Sequence, residues 1–177
     1  MADAPATVRV ITDANVLINV FHIGQLHLLG TLPPYRFRVP SEVLAEILDP
    51  TQQAAVRACL DAGHLEETAV DTIASLALFA ELRDVMGRGE AACLALAATT
   101  GSHIASDEKR RFRRRAIELI GEPRILRTED IIVEAIRQNH MTVQEADTHK
   151  ATLAANNYAL AFASFAEFLQ SGPATRV

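Results

Sequence analysis

Residues 7–22 read TVRVITDANVLINVFH, where a β-branched, apolar strand leads through Asp13 straight into an apolar helical stretch. A buried strand that passes directly into a helix is the first half of a βαβ unit. The pattern recurs: strands are predicted over 36–39, 65–70, 103–106 and 124–127, each followed by a helical stretch. Strands alternating with helices predict an α/β fold, a three-layer α/β/α sandwich with a central, mostly parallel sheet.

The predicted helices are bounded by recognisable start and stop residues. Gly63, Gly101 and Gly121 stand where helical patterns end, as helix C-termini favour glycine. Asp71 is placed as the cap of one helix, and Thr142 with Glu145 forms the capping-box pattern of another. The predicted helices cover residues 16–29, 42–48, 52–62, 71–86, 90–100, 108–120, 129–138, 142–155 and 159–169.

Length and composition predict one compact domain over residues 1–177, with a core of about 7–140 and a C-terminal helical extension of about 141–170. The chain has 177 residues and is 49% hydrophobic, enough for a sizeable core. Its apolar runs are too short to span a membrane and its N-terminus lacks a signal-peptide core, so we expect a cytoplasmic protein. Cys59 and Cys93 lie in apolar helical patterns and are interpreted as small buried hydrophobes.

Four acidic residues stand where a strand meets a helix or where a helix begins: Asp13, Glu46, Glu90 and Asp107. In an α/β fold such positions gather at the carboxyl edge of the sheet. Carboxylates brought together repel one another and resist ionisation when buried, and a divalent cation removes that cost. The arrangement therefore predicts a hard-metal site without histidine or cysteine ligands, which suits Mg²⁺ or Mn²⁺.

Each of these residues also has a simpler interpretation. Asp13 and Asp107 can be helix caps, and a first-turn Glu90 is favoured by the helix dipole. Glu42 and Glu46 are four apart on one predicted helix, which a solvated pair tolerates, and the apolar neighbours of Glu46 favour it as the inward-facing one. Asn15 can orient the first carboxylate or simply form a turn.

The net charge is −5, yet six of the seven residues from 109 to 115 are basic. An acidic protein with one basic stripe is typical of an enzyme that touches a polyanion at one place, although such a run can also be a solvated face or a site for an acidic partner. The candidate nucleic-acid contacts are Lys109, Arg110, Arg111, Arg113, Arg114 and Arg115. P-loop and serine-hydrolase motifs are absent, and Asn15 stands where a phosphoaspartyl phosphatase needs a second aspartate.

The order D-x-N-V-L-I, then V-P-x-x-V-x-x-E-I, then G-x-G-E-A-x-x-L-A-L-A, then a strand ending in aspartate resembles the PIN-domain family over about Val8 to Ile132. The resemblance implies a metal-dependent endoribonuclease, and RNA rather than DNA follows from the resemblance alone. Many bacterial members are VapC-like toxins held by a cognate antitoxin, so that partner and a homodimer are expected. The segment after Met141 is extra relative to the small toxins.

Carried over residue by residue, the family's acidic positions fall on Asp13, Glu46, Glu90 and Asp107, with Asn15 as their polar companion. Asp13, Glu90 and Asp107 would bind one or two Mg²⁺ or Mn²⁺ ions, and Glu46 would complete the site or orient a water. Ser106 matches the hydroxyl residue that the family often places before its last acid. The alternative is a catalytically inactive PIN-like module that binds nucleic acid or protein.

Overall fold

The computed structural model describes residues 6–171, so the predicted domain 1–177 extends beyond it at both ends. Five parallel strands form one sheet in the order β3-β2-β1-β4-β5. They are β1 (Val8–Thr12), β2 (Tyr35–Pro40), β3 (Glu66–Thr68), β4 (His103–Ala105) and β5 (Ile125–Leu126). All five predicted strands and the α/β fold class are confirmed. The order reverses between β1 and β4, and ligands of such folds bind outside the strand ends at this switch point.

Helices pack on both faces of the sheet, and a 3₁₀ turn (Glu122–Arg124) precedes β5. They are α1 (Ala14–His22), α2 (Leu28–Thr31), α3 (Ser41–Leu44), α4 (Pro50–Asp61), α5 (Ile73–Arg83), α6 (Arg88–Thr100), α7 (Arg110–Ile120), α8 (Thr128–Arg137), α9 (Val143–Ala155) and α10 (Phe165–Gln170). Within residues 6–171 no helix combines the length and apolar character needed to cross a membrane.

Helix α6 lies at the centre of the core. Every residue from Ala91 to Ala97 is buried, and four of the seven are alanines, whose small side chains let the helix approach β1, β2 and β4 closely. The helix ends at Gly101 in a left-handed conformation, as predicted. Its first turn, which carries Glu90, is therefore held rigidly against the carboxyl edge of the sheet.

Several predicted helix starts and ends were wrong. The helix predicted over 16–29 is divided into α1 and α2, and the helix predicted over 71–86 ends at Arg83. The helix predicted over 42–48 stops at Leu44, because the extended backbone of Asp49 caps α4 at Pro50, and Glu46 sits in the intervening turn. Glu42 and Glu46 therefore do not share a helix face. Thr72, rather than Asp71, caps α5, and α7 begins at Arg110 instead of residue 108.

The C-terminal segment packs on the protein's own core. The Thr142–Glu145 capping box opens α9 as predicted, but the helix predicted over 159–169 is reduced to α10. Phe165 is fully buried and its ring contacts those of Phe162 and Phe168. Phe165 is thus part of the intramolecular core, and the homodimer stays a prediction.

Candidate active site

Asp13 occupies the switch point, at the end of β1, and serves as the N-cap of α1. Its Oδ1 accepts the backbone N–H of Ala14 at 2.8 Å, and its Oδ2 accepts from Asn15 Nδ2 and Ser106 Oγ, each at 3.1 Å. The side chain is only 4% exposed. The capping interpretation is therefore correct, and it coexists with a position where a ligand of an α/β protein would bind.

The electrostatic environment of Asp13 disfavours its ionised form. Its pKa is raised from 3.8 to about 7 by burial first and then by the charges of Glu108 and Glu90, against the lowering effect of the hydrogen bonds from Ala14 and Ser106. Three carboxyl groups thus act on one another at the edge of the sheet. A bound divalent cation would reverse the sign of this interaction.

Asn15 joins the ends of β1 and β4. Its Nδ2 donates to Asp13 Oδ2 and to Glu108 Oε1, the latter at 2.9 Å, while its Oδ1 accepts the backbone N–H of Asp107 at 3.1 Å. Ser106 assists from the other strand, since its Oγ also accepts the backbone N–H of Glu108 at 3.2 Å. These contacts place Glu108, whose part in the site the sequence left open, beside Asp13.

The carboxylate of Asp107 is held away from this cluster. Its Oδ1 accepts the backbone N–H of Thr128 and the hydroxyl of Tyr158, at 2.9 and 2.6 Å. Its Oδ2 accepts Asn19 Nδ2 and the Thr128 hydroxyl, at 2.8 and 2.5 Å. The side chain is 7% exposed. Asp107 therefore caps the start of α8, not α7, and the protein itself occupies its accepting positions.

Tyr158 connects the C-terminal segment to the site. Its hydroxyl lies 2.6 Å from Asp107 Oδ1 and 2.7 Å from Glu129 Oε2, although a phenol has a single proton to donate. The two carboxyl groups therefore share this one donor. Burial raises the pKa of Glu129, against the opposing charge of Arg127.

Glu46 and Glu90 both contact the first turn of α6. Glu46 Oε1 accepts the backbone N–H of Gly89 at 2.7 Å, and Glu90 Oε2 accepts that of Gly87 at 2.9 Å. A Cβ at residue 89 would lie 2.4 Å from Glu46 Oε2, so only glycine permits this approach. The close approach that Gly89 allows is thus made by a carboxylate of the protein. Glu90 lies in the first turn of α6, as predicted.

The Cys93 thiol, which lies fully buried on α6 one turn after Glu90, is within electrostatic reach of four carboxylates. Burial raises the pKa of Cys93 well above its usual value, and so do the negative charges of Asp13, Glu46, Glu42 and Glu90. The prediction that Glu46, rather than Glu42, is the inward-facing residue was wrong. Glu42 is the more buried of the two, and its Oε2 has no hydrogen-bond partner among the described residues.

These residues have the ligand atoms that a hard cation prefers, but their positions do not form a complete coordination site. The donors are all carboxylate oxygens, they repel one another, and one of them is buried without a partner. No three histidine, cysteine, aspartate or glutamate side chains between residues 6 and 171 are grouped closely enough to hold an ion as they stand. The arrangement is one whose acidic side chains a cation would draw together.

The basic run at the start of α7 divides into two sets. Arg113 pairs with Glu122, and Arg115 pairs with Glu81 at 2.9 Å and Glu118 at 3.2 Å. The other four side chains are exposed and form no ion pair within the described part of the chain: Lys109, Arg110, Arg111 and Arg114. Only this second set is available to a polyanion without breaking an existing pair.

Sequence reasoning missed several residues that shape the site. The sequence left open whether Glu42, Glu108 or Asp130 joins the site, and it placed Glu108 inside a predicted helix. Asn19 follows Asn15 by one helical turn, a spacing that points both amides to the same face of α1 and was a usable signal. Tyr158 lies 51 residues from Asp107 along the chain, and no local pattern indicates that contact.

Comparison with known proteins agrees with this architecture. The family model DUF3368, described as a PIN domain, matches residues 9–170. Comparison with curated proteins gave no match. A similar solved structure is VapBC2 from Rickettsia felis bound to a DNA fragment from its promoter, at 15% identity and a TM-score of 0.46, covering 68% of this chain and 97% of that one. Another is FitAcB from Neisseria gonorrhoeae, at 13% identity and a TM-score of 0.40, covering 68% and 98%. The match of the family model over nearly the whole chain shows that this protein belongs to the PIN-domain family.

Proposed function

We propose that this protein is a metal-dependent endoribonuclease that hydrolyses RNA phosphodiester bonds at the cluster around Asp13. The observation that carries the proposal is the raised pKa of Asp13, whose carboxylate is buried at the switch point and repelled by Glu108 and Glu90. A buried carboxylate with a raised pKa does not help the protein to fold, but it is a suitable ligand for a divalent cation. PIN domains are generally metal-dependent nucleases, so the family supports the same chemistry.

In this proposal Asp13, Glu90 and Glu108 hold one or two Mg²⁺ or Mn²⁺ ions, with Glu46 and Glu42 beside them. When bound, the metal lowers the pKa of a water and stabilises charge on the scissile phosphate. The sequence assigned the last ligand position to Asp107. We propose Glu108 instead, because Asp107 already accepts four hydrogen bonds from the protein.

The other residues around the cluster orient its carboxylates and position the strand. Asn15 and Ser106 donate to the same Asp13 oxygen and so direct its other lone pairs. The unpaired cations at the start of α7 hold phosphates next to the scissile bond, which positions the strand without reading its bases. Paired Arg113 and Arg115, first predicted as contacts of this kind, support the helix.

Two partners belong to the proposal on the strength of the family. Many bacterial PIN domains are toxins, so we include a cognate antitoxin that covers the acidic cluster, and a homodimer. Both are checked by co-purification with the protein encoded next to this chain and by light scattering at micromolar concentration. A strictly monomeric protein without a neighbouring partner would contradict this part alone.

The test of the activity is cleavage of a labelled RNA by the purified protein with Mn²⁺ or Mg²⁺, with chelator, and with the variant Asp13→Asn. We expect cleavage by the wild type that both the chelator and the substitution abolish. If wild-type protein binds RNA but never cleaves it with either metal, the alternative of a catalytically inactive PIN-like binding module replaces the proposal.

A further inference from the structure

A cleft of about 440 Å³ lies between the end of α5 and the face of α7. Its apolar side consists of Leu82, Val85 and Met86, and Arg111 and Arg114 lie on the opposite wall. Both walls are close in sequence to the candidate active site: residue 86 precedes Glu90 by four positions, and residue 111 follows Glu108 by three. This closeness along the chain puts the cleft within reach of a strand bound at the cluster.

The charge of the cleft is unevenly compensated. Arg115, which also lines it, is neutralised by Glu81 and Glu118 of the same cleft. Arg111 and Arg114 are exposed and make no ion pair within residues 6–171, and Asp84 is the remaining acidic residue of the lining. The cleft thus presents two guanidinium groups with free donors facing an apolar surface.

This combination matches one nucleotide of a single strand. A base has an apolar face that packs on aliphatic and thioether side chains, and its phosphate accepts hydrogen bonds from guanidinium groups, which also stack on bases. The volume lies in the range of small-molecule clefts. A protein helix is about 10 Å across with its side chains and needs an extended groove.

We infer that this cleft is a nucleotide subsite, which holds one base and its phosphate of the RNA strand next to the scissile bond. Val85 contacts the base, with the buried side chains of Leu82 and Met86 behind it, and Arg111 and Arg114 bind the phosphate. The inference rests on the proposed function, because it assigns a place to the substrate of that same site. Stacking tolerates any base, so the subsite adds affinity more than sequence preference.

The test measures binding of a short mixed-sequence oligoribonucleotide by fluorescence anisotropy, with Asp13→Asn in every protein so that no RNA is cleaved. The first variant is Arg111→Glu with Arg114→Glu. Its matched control is Arg9→Glu with Arg36→Glu, two exposed arginines paired across β1 and β2, away from the strand ends that carry the site. We expect the first pair to weaken binding roughly tenfold or more and to reduce its salt dependence, and the control pair to change it little.

A second variant examines the base itself. Val85 is 46% exposed, so Val85→Gln fills the cleft without adding charge or disturbing the core, and Ile73→Gln at a 90% exposed site is its control. We expect Val85→Gln to weaken RNA binding roughly fivefold, as burial of about 40 Å² of apolar surface against the base is worth about that factor. Binding of inorganic polyphosphate, which has no bases, should be unchanged.

The outcomes separate this inference from the proposed function. If the wild type cleaves RNA while the cleft variants bind it as tightly as their controls, the subsite is refuted and the nuclease stands. If Val85→Gln weakens RNA and polyphosphate equally, no base lies on the apolar wall. If the variants bind RNA normally but fail to bind an acidic antitoxin, the cleft belongs to a protein partner and the inference is wrong.

Discussion

Replacing Asp13 by asparagine should stabilise the metal-free protein at neutral and higher pH. The folded-state pKa of Asp13 is about 7 against 3.8 for the free side chain, a difference of about three pH units. Each pH unit corresponds to about 1.4 kcal/mol, so keeping this carboxylate ionised in the fold costs about 4 kcal/mol above pH 7. The asparagine would direct an amide donor at Asn15 and forfeit about 1 kcal/mol. The expected net gain is about 2–3 kcal/mol.

The sign of the pH dependence follows from the direction of this shift. Below the unfolded pKa of 3.8 both states are protonated and Asp13 contributes no penalty. As pH rises towards 7, Asp13 loses its proton in the unfolded chain but keeps it in the folded protein. The free energy of unfolding of the wild type therefore falls across this interval. Glu129 also has a raised pKa, but it is present in both proteins and cancels in their difference.

The assay is urea unfolding of wild type and Asp13→Asn with chelator present, from about pH 5 to about pH 8. The matched control is Asp49→Asn, because Asp49 caps α4 through backbone N–H groups but is exposed. We expect the difference between wild type and Asp13→Asn to grow with pH, and Asp49→Asn to show no such growth. Millimolar Mg²⁺ or Mn²⁺ should stabilise only proteins that retain Asp13. A difference independent of pH, or equal metal stabilisation of the Asp13 variant, would refute the reasoning.

Five further substitutions examine the remaining assignments. Glu108→Gln should abolish metal-dependent stabilisation and RNA cleavage at little cost to folding. Asp107→Asn should instead destabilise the fold by about 1–3 kcal/mol, because the new amide group turns a donor towards buried donors. The reverse pattern in urea unfolding and metal titration would return the ligand role to Asp107. Gly89→Ala should lower the free energy of unfolding by about 1–3 kcal/mol, because the new methyl group clashes with the Glu46 carboxylate. Adding Glu46→Ala should restore most of that free energy in a double-mutant cycle. Losses that simply add would contradict this contact. Tyr158→Phe should lower stability by about 1–3 kcal/mol, measured by urea unfolding, and an unchanged midpoint would show that its two carboxylate contacts contribute nothing.

The sequence determined the features that depend on short-range chemistry. Alternating strands and helices predicted the parallel sheet, since strand length, apolar periodicity and stop residues act within a few positions of the chain. The place of Asp13 followed in the same way, because a residue between a buried strand and a helix must lie at the sheet edge. Glycine at residue 101 and the Thr142 capping box are local signals of this type, and both behave as predicted.

Only the tertiary structure decided which of several neighbouring groups faces the cluster. Asp107 and Glu108 are adjacent, yet one is bound by α1, α8 and Tyr158 while the other meets Asn15. Likewise the turn after α3 decides how Glu42 and Glu46 are exposed, and contacts of α7 with α5 decide which arginines remain unpaired. These outcomes depend on side chains up to 93 positions apart that meet only when the core is packed. Local patterns carry no information about such meetings, because the contact energy arises from the partner across the fold and not from the segment itself.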